Sequence, residues 1–349
     1  MYFFIYFSKI LFLTKIVAET LATTGHVFSA KVHRKYISDN NPGNSNLSLF
    51  DNKIKNYSQC NFWGVVTTIF KPSEAMKKYL FLPEKYCLVI VSDIKTPKKE
   101  YSEIMKNSKV FFMSVEFQNR LKPFLSFSKL MPWNHFSRKN IGFLFAISAN
   151  ASAIFDFDDD NIITSLNEFS RVMEKNFTKF SFVSDKKSDK ILNPLPYMSK
   201  LNDSIWPRGL PLVHIQESQT KNYNLEEAPE DVSLWQSLAD GDPDFDAIYR
   251  LTKKPKLKFR QSNVAILKSA SQRTPLNAQS CIWFNKSYLF LYLPISVHGR
   301  VSDIWRSYIL EELLVGNIVI SSPLVVQKRN SHNYLADFNA EIPLYEKVI

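Results

Sequence analysis

An α/β fold, with a mostly parallel sheet flanked by helices in a single large domain, is what the sequence predicts, and three observations predict it. From residue 61 to residue 160, short β-branched and aromatic runs alternate with helix-forming stretches, the pattern of right-handed strand–helix–strand units. The chain has 349 residues with 45% hydrophobic and 14% aromatic content, enough to bury a full core. Finally, the apolar run "AIFDFDDDN" ends in four carboxylates within five residues, Asp156, Asp158, Asp159 and Asp160. By the strand count they fall at the carboxyl edge of the sheet, where open α/β folds bind ligands.

The chain opens on "MYFFIYFSKILFLTKIVAETLA", apolar over about seventeen residues but interrupted by Lys9 and Lys15. A spanning helix needs about 20 apolar residues, and a lysine near the bilayer centre costs about 2.5–3.5 kcal/mol. Residues 1–20 are therefore a candidate signal-anchor, with an uncleaved signal peptide or a core segment as alternatives. Residues 21–60 turn polar, rich in Asn and Ser towards their end, and read as a stem or linker. The α/β domain is expected over 61–345.

Within that domain "FWGVVTTIF" predicts a first strand, and "KPSEAMKKYLFL" a helix with Ser73 as its N-cap. "KYCLVIVSD" predicts a second strand ending on Asp93, and "SKVFFMSVEF" a third. A helix over "SRKNIGFLFAISANA" then leads into the strand "SAIFDF", which delivers the acidic cluster. After residue 165 the pattern breaks into loops and short strands, with a final helical stretch around Ile304–Leu314.

A net charge of +11 raises nucleic acid, an anionic membrane face or phosphorylated substrates as partners. The basic residues are scattered and no finger, RRM or helix-turn-helix signature occurs, so no nucleic acid is expected. Cys60, Cys87 and Cys281 lack CxxC spacing, which argues against a zinc site and leaves one disulfide plus a free thiol open. Six Asn-x-Ser/Thr sequences, at Asn46, Asn56, Asn150, Asn176, Asn202 and Asn285, tilt the reading towards a secretory lumen.

On a strand, Asp156, Asp158 and Asp160 share one side while Phe155 and Phe157 take the other. Two carboxylates at i and i+2 on an open strand end can chelate Mg²⁺ or Mn²⁺, with phosphate oxygens and water completing the shell. Such an ion stabilises a diphosphate as a leaving group. A solvated acidic turn is the plain alternative. "DFDDDN" also resembles the D-x-D-x-T motif of haloacid-dehalogenase-type phosphatases, whose first Asp is a nucleophile. Asp160 stands where the Thr belongs, and about ninety residues of α/β pattern precede the motif instead of following it.

Eight segments occur in an order that identifies a family resemblance: "WGVVTTIFKPSEAMKKY", "CLVIVSDIKTP", "WNHFSRKNIGFLFAIS", "IFDFDDDN", "WPRGLPL", "DFDAIYRLTKK", "PLNAQS" and "LPISVHGRVSDIWRSYI". Together, from Trp63 to Pro343, they resemble the STELLO-like glycosyltransferase family. The resemblance implies a GT-A-like (Rossmann-like) fold that uses a UDP-type nucleotide-sugar donor with Mn²⁺ or Mg²⁺. It also implies a lumenal catalytic domain on a Golgi membrane anchor, and a glycan or protein acceptor. A non-catalytic lumenal scaffold that kept the fold is the rival.

Carried onto this chain, the resemblance makes Asp156, Asp158 and Asp159 metal ligands, with Asp160 and His298 as further candidates. Asp93 falls where such enzymes hold the base or ribose of the nucleotide, and Arg138 and Lys139 suit its diphosphate. Asp303 resembles the general base that takes a proton from the acceptor hydroxyl, and Arg306 lies three residues on. Asp244 and Asp246 are assigned to the acceptor side, and Arg208 of the "WPRG" string to phosphate or sugar hydroxyls.

Overall fold

The computed structural model describes residues 52–347 except 123–125, 186–190, 200–203, 217, 219–222, 254–256, 260–262, 315 and 329–332. The candidate anchor and most of the stem lie outside the described residues. Among those described, no helix is long and apolar enough to cross a membrane.

Four strands build a fully parallel half-sheet. β1 (Phe62–Thr68) pairs with β2 (Tyr86–Ser92) on one side and β4 (Ala153–Phe157) on the other, and β3 (Val110–Met113) pairs with β2. β2 is buried along its whole length, as expected of a parallel strand covered on both faces. Helix α1 (Glu74–Tyr79) is capped by the Ser73 hydroxyl, which accepts from Met76 N–H, as its sequence predicts. The third strand is shorter than the apolar run: Ser114 caps a new helix, α2 (Val115–Leu121), by accepting from Phe117 N–H. A short helix α3 (Ser126–Leu130) follows, and then α4 (Lys139–Ser148) crosses to β4.

The second half is mixed. After β5 (Asn161–Ile163), α5 (Leu166–Met173), β6 (Ser181–Asp185), α6 (Leu195–Met198) and β7 (Tyr223–Glu226), the chain enters the buried strand β8 (Val232–Asp240). Helix α7 (Ala247–Thr252), β9 (Val264–Lys268), β10 (Ser280–Phe284), α8 (Gly299–Leu313), β11 (Asn317–Gln327) and α9 (Tyr334–Lys347) complete it. The described strands form one 11-stranded sheet in the order β3-β2-β1-β4-β10-β8-β11-β9-β6-β7, with β5 on β11. β10 runs antiparallel between β4 and β8, and so joins the two halves. β11 slips register against β8 between Ser321 and Val325, around Pro323, which has no N–H to offer the ladder.

The core is aromatic. Tyr79, Phe155, Phe157 and Phe169 stack on one face, and Trp63, Phe111 and Phe145 on the other. Tyr57 packs its ring on that second group and donates its hydroxyl to Val110 C=O. Cys60 and Cys87 form a disulfide, and Cys281 is a buried free thiol. Residues 55–60, expected in the stem, therefore pack as part of the domain.

Gly142 sets how closely α4 lies on the sheet: a Cβ there would meet Val91 Cγ2 at 2.6 Å and Val65 Cγ1 at 2.7 Å. Gly142→Ala should destabilise the fold by about 1–3 kcal/mol through overpacking, read as a lower midpoint in chemical denaturation.

Candidate functional site

Above the carboxyl ends of β1, β2 and β4 lies a cleft of about 760 Å³. Thr68, Asp93, Asp158, Asp159 and Asp160 line one wall, and Arg208, Asp244, Arg300 and Asp303 the other.

Asp93 follows β2 directly and is nearly buried. Its carboxylate accepts from Asn134 N–H with both oxygens at 2.8 Å and from Ile94 N–H at 2.6 Å. It thereby holds Asn134 at φ 53°, a left-handed conformation that Asn tolerates better than most residues. The nucleotide-side position expected for Asp93 is thus a rigid one, on the cleft wall.

The acidic run divides at the end of β4. Asp156 still belongs to the strand and is fully buried. Its Oδ1 accepts from Lys139 Nζ at 2.8 Å, and its Oδ2 from Arg306 Nη2 at 2.8 Å. Lys139 also donates to Phe157 C=O at 2.8 Å and reaches Asp158 Oδ1 at 3.3 Å. With both oxygens paired inside the fold, Asp156 is not presented to the cleft, whereas Asp158, Asp159 and Asp160 line it. Lys139 and Arg306, expected near the substrate, serve as its buried counter-ions.

Backbone geometry aims the other three into the cleft. Asn161 Oδ1 accepts from Asp158 N–H at 2.9 Å, and β5 then returns the chain along β11. Thr68 donates its hydroxyl to Asp159 Oδ2, and Gln327 Nε2 donates to both Asp160 oxygens at 3.2 and 3.1 Å. Two buried cations face four carboxylates, leaving two negative charges. Enclosure, and then repulsion from Asp160, Asp156 and Asp159, push the Asp158 carboxyl up to about 7 against the pull of Lys139. Burial likewise raises Asp159. Among the described residues no three His, Cys, Asp or Glu side chains converge as a cation site on their own. A divalent ion would fit this turn only with further oxygens, such as those of a diphosphate, completing its shell.

On the opposite wall Arg208 sits between two carboxylates. Its Nε and Nη2 donate to Asp244 Oδ1 and Oδ2 at 3.0 and 2.7 Å. Its Nη1 and Nη2 donate to Asp303 Oδ1 and Oδ2 at 2.9 and 2.8 Å. Asp303 accepts from Ile304 N–H at 3.0 Å and Ala278 N–H at 3.2 Å as well. Four donors occupy its two oxygens, so the Asp303 carboxylate is pinned in the wall. The "WPRG" string now has a physical role. Trp206 Nε1 donates to Asp246 Oδ2 at 2.7 Å, Pro207 bridges to Phe245, and Gly209 has φ 90° against Ile304, where a Cβ would come within 2.5 Å.

Three expected site residues face elsewhere. Arg138 is buried, donating to Gln118 and Met131 C=O and lying 3.8 Å over the Trp133 ring; burial lowers it to about 10. Asp246 caps α7, accepting from Tyr249 N–H at 2.6 Å, and burial raises it to about 6. His298 caps α8 through Nδ1, which accepts from Arg300 N–H at 3.1 Å. Conversely, Thr68, Gln327 and Arg300 were not singled out from the sequence. Arg300 bonds Glu341 Oε1 through Nε at 2.7 Å, while its Nη2 has no partner among the described residues. No short-range signal marks Gln327 and Arg300, because β11 and α8 bring them in from far along the chain, and Thr68 closes β1, 91 residues before its partner Asp159.

Fold and cleft together define an α/β protein of the GT-A-like class, with an acidic turn at the end of its fourth strand. No family model matches the chain. It is 27% identical over 283 residues, 76% of its length, to "Probable glycosyltransferase STELLO2" of Arabidopsis thaliana. It is 28% identical over 273 residues, 73% of its length, to "Probable glycosyltransferase STELLO1" of the same plant. These similarities bear out the STELLO-like family resemblance. The chain spans about a third of the length of these curated relatives, 35% and 34% respectively.

Asp158 generates a pH prediction. Its carboxyl is raised in the folded state, so the native protein holds a proton that the unfolded chain releases near pH 4. Stability of the metal-free protein should therefore fall as pH rises from about 4 to about 7 and level off above. Asp246 and Glu311, also raised, contribute with the same sign, so the diagnostic quantity is a difference. Melting curves of Asp158→Asn and the parent protein should converge near pH 4 and diverge towards pH 8, with the variant more stable at the upper end.

Proposed function

We propose that the chain is a glycosyltransferase of the secretory pathway that takes a UDP-type nucleotide-sugar donor with Mn²⁺ or Mg²⁺. The observation that carries this reading is the Asp158–Asp159–Asp160 turn, which faces the cleft with unbalanced negative charge. The names of the two plant relatives support glycosyl transfer, and the Cys60–Cys87 disulfide supports an oxidising compartment.

A divalent cation bound at Asp158 and Asp160 would neutralise the departing diphosphate. The residues of the chain do the rest. Asp93, fixed by three backbone bonds, offers oriented carboxylate oxygens to the nucleoside side. Arg300 lines the wall and brings a positive charge to the cleft, where a diphosphate or acceptor anion is stabilised. Arg208, Asp244 and Asp303 hold that wall in one geometry. In the transfer itself the acceptor oxygen bonds to the anomeric carbon, the bond from that carbon to the diphosphate breaks, and the hydroxyl proton leaves. Asp303 is assigned to holding Arg208 and not to taking that proton, because its oxygens are already filled. The same observation favours a second reading, a lumenal scaffold that binds nucleotide without turnover.

Two variants and one screen test these assignments. Asp158→Asn should abolish Mn²⁺-dependent UDP binding in calorimetry while the protein stays folded; unchanged affinity would remove the acidic turn from the donor site. Asp303→Asn breaks a buried pair and should lower stability by about 3–5 kcal/mol. A fall in transfer rate at unchanged melting temperature would instead restore Asp303 as the general base. Release of free nucleotide from a panel of nucleotide sugars separates the enzyme from the scaffold.

A further inference from the structure

We propose that Asn56, Asn150, Asn176 and Asn285 carry N-linked glycans, and that these four positions form a glycan-bearing pole opposite the cleft. The inference rests on the secretory part of the proposed function and goes beyond it, since it concerns residues outside the cleft.

The six Asn-x-Ser/Thr sequences are spread along the chain, and four have a described asparagine. All four asparagines are exposed. The folded structure also leaves their amide nitrogens unused. Asn176 Oδ1 accepts from the Thr178 hydroxyl at 2.8 Å and Asn285 Oδ1 from Lys286 N–H at 2.9 Å. No hydrogen bond from any of the four Nδ2 atoms occurs among the described residues. A glycan on that nitrogen therefore displaces no contact.

Topology brings the four together. Asn56 lies beside Tyr57, whose hydroxyl bonds Val110 C=O at the start of β3. Asn150 ends the α4 turn, and two residues later Ser152 N–H bonds Asn61 C=O, just before β1. Lys175 and Lys286, neighbours of Asn176 and Asn285, both pair with Asp231, the residue before β8, at 3.3 and 2.7 Å. The four sites thus gather where β1, β3, β4 and β8 begin, whereas the cleft lies where β1, β2 and β4 end. The seven residues of β1 separate the two ends by about 20 Å at about 3.3 Å per residue. Bulky hydrophilic groups at this pole leave the mouth of the cleft open.

The modification is a group transfer. The asparagine Nδ2 forms a bond to the anomeric carbon of a polyprenyl-diphosphate-linked oligosaccharide. The bond from that carbon to the diphosphate oxygen breaks, and the amide proton leaves with the diphosphate. At Asn285 the transfer must precede folding: Ser287, the hydroxyl of that sequence, is fully buried and donates to Ser233 C=O at 2.6 Å and Phe284 C=O at 2.8 Å.

The test uses the full chain made in a eukaryotic secretory host. Peptide-N-glycosidase in heavy-oxygen water converts each glycosylated asparagine into a labelled aspartate, and peptide mass spectrometry reads the positions. Labelled aspartate is expected at 56, 150, 176 and 285, and unlabelled asparagine at any of them overturns the assignment there. Differential alkylation of the same sample tells the two failures apart. With Cys60 and Cys87 protected, the compartment stands and the glycan assignment alone falls; with both alkylated, the secretory reading falls too. The variant with all four changed Asn→Gln should keep the UDP affinity of the glycosylated protein. A loss of affinity with a normal melting curve would overturn the separation of the poles.

Discussion

The fully buried cluster of Lys139, Asp156 and Arg306 is the constraint on which the cleft depends. It ties the first residue of α4, the fourth residue of β4 and the middle of α8 through bonds that span 17 and 150 residues of sequence. Charges taken out of water are costly unless paired and hydrogen-bonded, and these are both. Lys139 satisfies Asp156, Phe157 C=O and Asp158; Arg306 satisfies Asp156 and Leu291 C=O, with its guanidinium 4.7 Å from the Trp283 ring. Moving any one of the three elements leaves a buried charge without its partner. The cluster therefore fixes where α8 stands, and with it Arg300 and Asp303, relative to the acidic turn.

A second buried arrangement repeats this logic on the other wall. Arg208 offers a planar fork that two carboxylates can fill from both sides, a geometry a lysine would not reproduce. The neighbours of Arg208 in sequence aim it. Trp206 anchors to Asp246, the bridge from Pro207 to Phe245 aligns two segments, and Gly209 lets the backbone pass Ile304 in a left-handed conformation. Asp244 and Asp246 take different partners although they are only two residues apart, with a tight turn between Pro243 and Phe245 closed by Phe245 N–H donating to Pro243 C=O at 2.8 Å. Asp244 meets Arg208 at the cleft and Asp246 caps α7 inside the fold.

The parallel half of the sheet was legible because its strands are apolar runs bounded by turn residues and cap serines. Val115–Phe117 falls within the run read as the third strand, and only the bond from Phe117 N–H to Ser114 shows that the helix has begun. The mixed half was illegible for a different reason. β8 is buried from end to end although it carries Ser233, Gln236 and Ser237, which a hydrophobic pattern scores as exposed. Gln236 and Ser237 are tolerated because partners come from a strand distant in sequence: Ser237 bonds Ser280 and Gln236 meets Cys281, while the Ser233 hydroxyl has no partner among the described residues. The site shows the same limit. Residue types and spacing pointed to the acidic turn and Asp93, but not to which carboxylates reach the cleft, since that depends on cations placed by α4 and α8.

The acidic turn is also where local and global forces conflict. Four carboxylates in five residues would splay into water if the chain after them were free. Here Asn161 clamps the turn through Asp158 N–H, β5 pairs with β11, and Lys328 N–H bonds Asp160 C=O at 3.1 Å. The backbone ladder holds the charges together, and the repulsion must be relieved by chemistry. Lys139 relieves part of it, and Thr68 and Gln327 supply neutral donors that carry no charge. Enclosure, and then the repulsion that remains, raise Asp158 to about 7. The cation proposed for this turn would compete with a proton for the same oxygens.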